Sequence, residues 1–371
     1  MKITKIKLIT ALLIINVSVS GQSRSIINFP NITGYQTLKC DFHMHTVFSD
    51  GTVWPTVRVE EAWRDGLDAI SITDHIEYRP HAQDIVSGHN RSFEIAEPLA
   101  KQLNIILIRG AEITRSMPPG HLSALFIRNA TLLARDNISD AIREAREQGA
   151  FMIWNHPCNK EQQPSMTALW DEYSQLLTNG FLHGIDVYNN NEYYPEAIEL
   201  ANEKRLTILS NSDAHGAIDM MYDRNKQHRP LTLVFARSRT EGGIREALFS
   251  RRTVAYFENS LMGSSSLLEP LFFASLNIST TPLRIQNGTS SIIFITNNSD
   301  IDYELELVQP GVGFDLPQKV ILKARQVTPF EISGNSNEVA KTTTLNAYYQ
   351  INNLWVSSEK NLIITFSFRN L

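Results

Sequence analysis

The chain has 371 residues, of which 42% are hydrophobic and 20% charged, and its formal net charge is -5 at pH 7. This composition excludes a disordered or fibrous protein, and the length is sufficient for two domains. The negative charge argues against a general nucleic-acid binder, and two cysteines cannot build a disulfide framework. All ten histidines lie between His43 and His228, so we expect imidazole chemistry in the front part of the chain.

The N-terminus has the three-part pattern of a secretory signal peptide. Lysines precede the largely apolar run Leu8–Val19, and the small residues Ser20 and Gly21 provide a cleavage site. We therefore predict a signal peptide at residues 1–21 and an exported protein, either periplasmic or extracellular. A buried N-terminal helix is the alternative interpretation. The run is too short for a stable membrane anchor, and no other stretch reaches about eighteen apolar residues, so no membrane span is expected.

Short β-branched runs then alternate with amphipathic stretches. Seven strands are predicted, at Leu38–Phe42, Ala69–Thr73, Ile105–Ile108, Leu122–Ile127, Phe151–Trp154, Gly184–Tyr188 and Thr207–Ser210. The intervening helices are predicted at Pro55–Asp65, Ser92–Leu103, Asp136–Gln148, Ser165–Leu177 and Tyr194–Arg205, with Gly66 and Gly149 as stop signals. A strand at Pro230–Phe235, a helix at about 240–250 and a strand at Thr253–Phe257 follow. This alternation favours parallel strands in an α/β barrel that extends over residues 22–264.

The pattern changes after about Ser264. Short alternating runs are separated by linkers rich in Asn, Gly, Ser and Thr, and no long helical period is found. The strands are predicted at Thr281–Ile285, Ser291–Thr296, Glu304–Val308, Val320–Leu322, Thr343–Gln350 and Leu362–Phe368. Residues 265–371 are therefore expected to form a small antiparallel β-sandwich. This domain has no cluster of ligand-type residues, so it is either a packing module or a wall of the barrel mouth.

Residues with metal-binding side chains follow the predicted strands. His43 and His45 end the first strand, and their side chains point the same way because side chains alternate between the faces of a strand. Such a pair can bind a metal, although His-x-His alone is a weak signal. Similar residues recur in Ser-Asp-Gly, Thr-Asp-His, Gly-Ala-Glu, Asn-His-Pro and Ser-Asp-Ala-His segments. The candidate ligands are His43, His45, Asp50, His75, Glu112, His121, His156, Asp213 and His215.

Most of these residues fall at the carboxyl ends of predicted strands, where barrel enzymes place their chemistry. His121 departs from this rule because it begins an apolar run, and we expect it to reach the site from a loop that folds back. One or two of the histidines could be ordinary core residues, but so many ligand-type residues at strand ends exceed what chance provides.

In their order along the chain, the motifs His-x-His, Ser-Asp-Gly, Thr-Asp-His, Gly-x-Glu, Asn-His-Pro and Ser-Asp-x-His resemble the PHP (polymerase and histidinol phosphatase) family over about Leu38–Phe257. The resemblance implies a distorted (β/α)7 barrel, two or three divalent metal ions and hydrolysis of phosphate esters. The signal peptide and the trailing β-domain are similar to those of secreted PHP phosphodiesterases that act on organophosphate diesters. The expected activity is hydrolysis of P–O bonds by a metal-bound hydroxide.

The resemblance also assigns the ligands to three metal sites. The first would be held by His43, His45, Glu112 and Asp213, the second by Asp50, His75 and His215, and the third by His121 and His156, with Glu112 bridging. Asp50 sits where some family members have a histidine, and an oxygen ligand there admits manganese or iron beside zinc. Asp74, next to His75, is expected to orient a ligand.

Other polar residues near the motifs are candidates for substrate contact. With Asp213 and His215, the predicted catalytic residues are His81, which could protonate a leaving group, and Arg224, which could bind phosphate. His81 is equally well explained as a solvated loop residue. The other arginines and asparagines considered are Arg79, Arg115, Arg229, Asn155, Asn189 and Asn190. Each arginine could instead form a salt bridge, and each asparagine could cap a strand.

Three functions remain open on this reasoning. The first is a secreted phosphodiesterase with a small-molecule phosphate ester as substrate. The second is a phosphomonoesterase of the histidinol-phosphatase type, which export disfavours because its substrate is cytosolic. The third is a non-catalytic, metal-stabilised binding module, which the complete ligand set disfavours. Cys40 and Cys158 flank metal motifs and either pair or remain thiols, and the oligomeric state stays open.

Overall fold

The computed structural model of the chain describes residues 23–158, 170–223, 226–279 and 283–371, so the predicted signal peptide lies outside the described residues. The strands are β1 Gln36–Asp41, β2 Ala69–Ile72, β3 Ile106–Thr114, β4 His121–Leu125, β5 Phe151–Trp154, β6 Gly184–Asn189, β7 Glu192–Tyr193, β8 Thr207–Asn211, β9 Leu231–Ala236, β10 Thr253–Phe257, β11 Ser260–Met262, β12 Leu276–Ile278, β13 Ser290–Asn297, β14 Tyr303–Gln309, β15 Phe314–Asp315, β16 Lys319–Leu322, β17 Val327–Gly334, β18 Thr344–Trp355 and β19 Asn361–Arg369. The helices are α1 Pro55–Arg64, α2 Arg91–Gln102, α3 Ile138–Glu147, α4 Asp171–Thr178, α5 Pro195–Lys204, α6 Ile218–Met221, α7 Glu241–Phe249 and α8 Ser265–Ser275.

Glycines end two of the helices, as the sequence predicts. Gly66 follows α1 with φ +82°, and Gly149 follows α3 with φ +78°. After α1, the amide of Gly66 donates to Trp63 O (3.2 Å) and that of Leu67 to Ala62 O (2.9 Å). This is the Schellman pattern, in which a left-handed residue lets the last carbonyls of a helix find donors.

The front domain contains a mixed sheet in which β4 and β9 depart from the predicted parallel order. The pairs β1–β2, β2–β3, β5–β6 and β6–β8 are parallel, whereas β4 is antiparallel to both β3 and β5. The expectation of parallel strands is therefore wrong for β4, and also for β9, which is antiparallel to β1 and to β10. Only Arg115–Gly120 connects β3 to β4, and a connection of this length cannot make the crossover that parallel strands need.

The first and last strands of the run β1-β2-β3-β4-β5-β6-β8 meet where the ligand motifs lie. A single bridge joins Met44 to Ala214, and the amide of His45 donates to Ala214 O (2.9 Å). Farther back, β1 pairs with β9 instead. The hydroxyl of Thr232 on β9 accepts from Ser210 N and donates to Ser210 O of β8, both at 2.9 Å. Among the described residues, no continuous backbone ladder closes the ring.

The C-terminal part forms the predicted β-sandwich. One sheet has the order β16-β14-β18-β19 and the other β12-β13-β17-β15. Part of the strand predicted at residues 281–285 lies outside the described residues. The sequence reading missed β17 and α8. In α8, Leu268, Leu271 and Phe272 are fully buried, and Pro270 lies inside the helix, where a proline normally indicates that a helix ends.

The two parts are joined by backbone pairing. Strand β11 of the front part runs parallel to β18 of the sandwich, with Leu261 opposite Leu354 and Met262 opposite Trp355. The amide of Gly263 adds a hydrogen bond to Trp355 O at 3.0 Å. The boundary between residues 264 and 265 stays a prediction, and α8 lies directly after it. None of the helices in the described ranges is long and apolar enough to cross a membrane.

Candidate metal centre

His43 and His45 bring two imidazoles together just beyond the end of β1. Both side chains are fully buried, and their Nε2 atoms lie 3.0 Å apart, as the alternation of side chains along a strand predicts. Asp213 Oδ1 lies 3.2 Å from His43 Nε2 and 3.1 Å from His45 Nε2. Glu112 completes this group, with its oxygens 3.5 and 3.6 Å from the same two nitrogens. The four residues predicted for the first metal site are thus together.

The residues predicted for the second site form an adjacent group. Asp50 Oδ1 lies 3.5 Å from His75 Nε2, and Asp50 Oδ2 lies 3.3 Å from His215 Nε2. His45 belongs to this group as well, because its Nδ1 lies 3.8 Å from Asp50 Oδ1. Gly51 is required in the turn after Asp50, since a Cβ at this position would lie 2.6 Å from the backbone carbon of His45.

The third predicted group is arranged around Glu112. His121 Nδ1 and His156 Nε2 lie 3.2 and 3.8 Å from Glu112 Oε1. His75 joins this group, because its Nδ1 lies 2.7 Å from Glu112 Oε2. The antiparallel direction of β4 explains how His121 arrives here: the first residue of β4 lies at the same end of the sheet as the last residues of the parallel strands.

Burial and clustered charge set the protonation of these groups. Burial raises the pKa of Glu112, but His75, His43 and His121 together hold it well below its usual range. Burial lowers the pKa of His75, but Glu112 and Asp50 raise it to about 10. The pKa of His45 is lowered to about 3, first by burial and then by the neighbouring charge of His75. The cluster therefore combines ionised carboxylates with imidazoles of very different basicity.

The donor atoms fit divalent metal ions. Asp50 Oδ1 and Glu112 Oε2 are buried and accept no hydrogen bond from the described residues, although a buried carboxylate oxygen normally has a donor. Both oxygens face imidazole nitrogens within 3.8 Å. Nitrogen and oxygen donors of this kind are ligands for zinc, manganese or iron. The unused lone pairs and the ligand spacing are consistent with cations among these side chains.

Two ligand residues have strained backbones. Asp213 has φ +48° and His156 has φ +29°, in a backbone region that residues other than glycine rarely adopt. The amide of Asp213 donates to His43 O at 2.9 Å, so neighbouring β1 helps to hold this conformation. Such strain is retained where the surrounding structure fixes a functional geometry.

Buried polar residues hold the ligands from behind. Asp74 accepts hydrogen bonds from Thr46 N (2.6 Å) and Ser49 Oγ (2.9 Å), and Ser49 Oγ lies 3.4 Å from His45 Nδ1. Asp74 therefore orients the segment that carries His45, as predicted. The side-chain amide of Asn155 donates from Nδ2 to Glu112 Oε1 at 2.6 Å, so this residue supports a ligand carboxylate.

Asp186 is a supporting residue that the sequence reading missed. It is fully buried on β6, accepts from Asn189 Nδ2 (2.8 Å) and Asn211 Nδ2 (2.7 Å), and lies 3.9 Å from His43 Nδ1. Asn189 Nδ2 lies 3.3 Å from the same nitrogen of His43. A carboxylate behind a metal-binding histidine fixes its orientation. An aspartate inside an otherwise apolar strand was the available signal.

The other candidate residues differ in where they lie relative to the metal ligands and in what they contact. Arg115 borders the cleft and is paired with Glu77, whereas buried Arg229 is paired with Asp41 and Asp65. Arg79 donates to the carbonyls of Phe48 and Ser87. His81 is half-buried on a mostly exposed turn and is not among the described residues that line the cleft. Arg224 lies outside the described residues. The roles proposed for His81 and Arg224 stay predictions, and Cys40 and Cys158 are thiols that do not form a disulfide.

The ligand cluster opens into a cleft of about 880 Å³. Among its lining residues are Asp50, His75, Glu77, Tyr78, Glu112, Thr114, Arg115, Met117, His121, His156, Asp213 and His215. The side chain of His215 is 39% exposed and that of Asp50 22%, whereas Glu112 is fully buried. A ligand would therefore approach from the side of Asp50 and His215.

Two family models match the chain. One, described as a PHP domain, matches residues 41–237, and the other, described as an Ig-like domain, matches residues 276–367. The first includes all nine candidate ligands, and the second falls on the β-sandwich. These matches agree with the predicted fold, a PHP-type α/β domain followed by an all-β domain.

The solved structures include a two-domain protein from Bacteroides vulgatus, described as containing a predicted PHP-like metal-dependent phosphoesterase. It is 44% identical, with a TM-score of 0.89, and the alignment covers 94% of this chain and 100% of that one. A 5'-3' exoribonuclease from Haemophilus influenzae is 35% identical over 78 residues, or 21% of this chain and 24% of that protein. An uncharacterized protein from Methanocaldococcus jannaschii is 26% identical over 198 residues, or 50% of this chain and 85% of that protein. The chain thus spans about a quarter of the exoribonuclease and most of the archaeal protein.

Glu112→Ala is expected to lose bound metal and hydrolytic activity together, because Glu112 lies within 4 Å of five histidine rings. Activity should fall by more than about 100-fold, the upper range for residues that merely support a ligand. Metal content is measured by mass spectrometry after reconstitution. Glu77→Ala, which removes a cleft carboxylate outside the ligand groups, should keep its metal. Full metal content in Glu112→Ala would contradict the bridging role.

Proposed function

The chain belongs to the PHP family, and on this premise we propose that it is an exported, metal-dependent phosphodiesterase. The coarser part of this statement, a metal-dependent phosphoesterase, agrees with the description of the Bacteroides vulgatus protein, which is 44% identical over nearly the whole chain. The preference for diesters and the export are our own additions. They rest on the charges of the cleft and on the N-terminal sequence.

The charge balance of the cleft is the observation that favours a diester. Among the described lining residues, Arg115 is the only arginine or lysine, and its guanidinium is paired with Glu77. A phosphomonoester is largely a dianion at neutral pH and gains from additional fixed cations, whereas a diester carries one negative charge. A cleft with bound metal ions and little other free positive charge suits the diester better.

The protein's own residues would bind and orient the reacting groups. His43, His45, Glu112 and Asp213 would hold one ion and Asp50, His75 and His215 another, with His121 and His156 available for a third. Bound divalent ions lower the pKa of water to about 7 and stabilise charge on phosphate oxygens. Asp213 and His215 border the open side of the cluster, where a phosphate ester would enter. Tyr78, which is 53% exposed, offers an aromatic surface beside it.

The comparison with the exoribonuclease adds limited support for a diester. That name denotes cleavage of RNA, whose linkages are phosphodiesters, and the match covers 21% of this chain. The net charge of -5 gives no reason to expect a nucleic acid as a general partner. A small-molecule diester is therefore the substrate class that we propose.

Export is proposed from residues 1–21. Lysines, the apolar run Leu8–Val19 and a small-residue cleavage site follow one another there. Arg24 Nη2 donates to Leu67 O (3.0 Å), and the amide of Ser25 donates to Arg64 O (2.7 Å). Cleavage near Ser20 or Gly21 would leave these contacts in place. The protein would then act in the periplasm or outside the cell.

Reconstituted with zinc, manganese or iron, the protein is expected to hydrolyse bis-(p-nitrophenyl) phosphate faster than p-nitrophenyl phosphate. The reason is the single negative charge of the diester in a cleft with few fixed cations. Release of p-nitrophenol measures both reactions at equal enzyme concentration. Faster turnover of the monoester would replace the proposal with a phosphomonoesterase. No turnover with any of the three metals would exclude both activities and favour a non-catalytic module.

The full-length chain, expressed in a Gram-negative host, is expected in the periplasm or medium with residues 1–20 or 1–21 removed. Cell fractionation and N-terminal sequencing measure this outcome. A matched chain that starts at Gln22 behind an initiator methionine should remain in the cytosol. An uncleaved full-length chain in the cytosol would contradict the export proposal.

A further inference from the structure

Arg58 on α1 is fully buried and contacts the backbone of two ligand-bearing segments. Its Nε donates to His45 O at 2.9 Å, its Nη2 to Ala214 O at 2.7 Å and its Nη1 to Gly216 O at 2.8 Å. The guanidinium thus uses all three of its nitrogens on carbonyl oxygens. Such a planar fork fixes the relative positions of its acceptors.

The three carbonyls lie next to metal-binding side chains. His45 is itself a candidate ligand at the end of β1, and Ala214 lies between the ligands Asp213 and His215 after β8. These segments also meet through the single bridge between Met44 and Ala214. Arg58 therefore reinforces the junction at which the first and last strands of the ring deliver their ligands.

Glu61 neutralises this buried charge. Its Oε2 lies 2.9 Å from Arg58 Nη1, and its Oε1 accepts from Ile218 N at 2.8 Å. The pair therefore also holds the first residue of α6, just after the ligand His215. An arginine buried without such a partner would be costly, so Glu61 allows Arg58 to remain within the fold.

The contacts of Arg58 differ from those of an ordinary structural ion pair. Arg229 is also buried, yet its guanidinium contacts the carboxylates of Asp41 and Asp65. Arg58 instead donates to main-chain oxygens of two separate segments. One segment carries the ligand His45, and the other, at Ala214 and Gly216, lies 156 and 158 residues away in the sequence. This pattern fixes backbone positions rather than only compensating charge.

We propose that Arg58, held by Glu61, is a positioning residue that sets metal affinity by fixing the spacing between the ligands after β1 and those after β8. Arg58 touches neither substrate nor metal in this role. The proposal concerns metal binding alone, so it does not depend on whether the substrate is a diester, a monoester or neither.

The direct test is Arg58→Lys in the full-length, metal-loaded protein. Lysine keeps the charge that Glu61 requires, but one ammonium group cannot reproduce the fork. We expect zinc affinity, measured by chelator competition, to fall by about 10-fold to 100-fold, as for other residues that orient ligands. The melting temperature after metal removal should also fall, because buried carbonyl oxygens lose donors, so zinc affinity is measured well below that temperature on the folded protein. Arg239→Lys is the matched control. Arg239 contacts Asp68 and Asn104, which precede β2 and β3 at the end of the sheet opposite to the metal ligands.

Unchanged zinc affinity in Arg58→Lys, with a melting temperature lowered as in a stability mutant, would overturn the proposal. If Arg58→Lys does not fold, the double variant Arg58→Met with Glu61→Gln removes both charges together and avoids an unpaired buried ion. The proposal then predicts a folded protein with the same loss of zinc affinity. Full zinc affinity in the double variant would overturn it equally.

Discussion

The buried carboxylate of Glu112 is the group around which the site is organised. Five histidine rings place a nitrogen within 4 Å of its two oxygens, and they come from four different strand ends. So many polar groups without solvent are stable only if opposite charge or coordination compensates each of them. Protons on the histidines can provide part of this compensation, since Glu112 and Asp50 raise the pKa of His75 to about 10. Metal binding would exchange those protons for divalent charge.

The topology of the front domain delivers the ligands to this carboxylate. Parallel strands bring His43, His75 and Asp213 to one end of the sheet, and the antiparallel β4 brings His121 to the same end from the opposite direction. The bridge between Met44 and Ala214 joins the first and last strands at this point. The β-sandwich is attached elsewhere, through β11 and β18, and among the described residues lining the cleft there is none from the sandwich.

Much of this arrangement could be predicted because periodicity and strand ends are local properties. The common face of His43 and His45 follows from them, whereas the grouping of Glu112 with Asp213 follows from the family resemblance. The direction of β4 is not evident from the sequence, because Arg109, Gly110 and Glu112 interrupt the apolar run of β3. The predicted strand ends at Ile108, whereas β3 continues to Thr114.

Burial was the other quantity that sequence did not reveal. Arg58 and Glu61 have the spacing of an exposed i,i+3 ion pair on an amphipathic helix, and only the fold shows that they are enclosed and reach the ligand segments. The partners of Asp186 are likewise visible only in the fold, which brings Asn211 and His43 to it from other strands. These residues act through tertiary contacts with partners that are distant in the sequence.

The most direct test of the account is anomalous diffraction from crystals of the zinc-loaded protein. The account predicts one zinc ion about 2.0–2.2 Å from donor atoms of His43, His45, Glu112 and Asp213, and a second at the same distances from Asp50, His75 and His215. Glu112 should contact at least one ion directly. Zinc bound stoichiometrically at other residues, with these donors uncoordinated, would contradict the account.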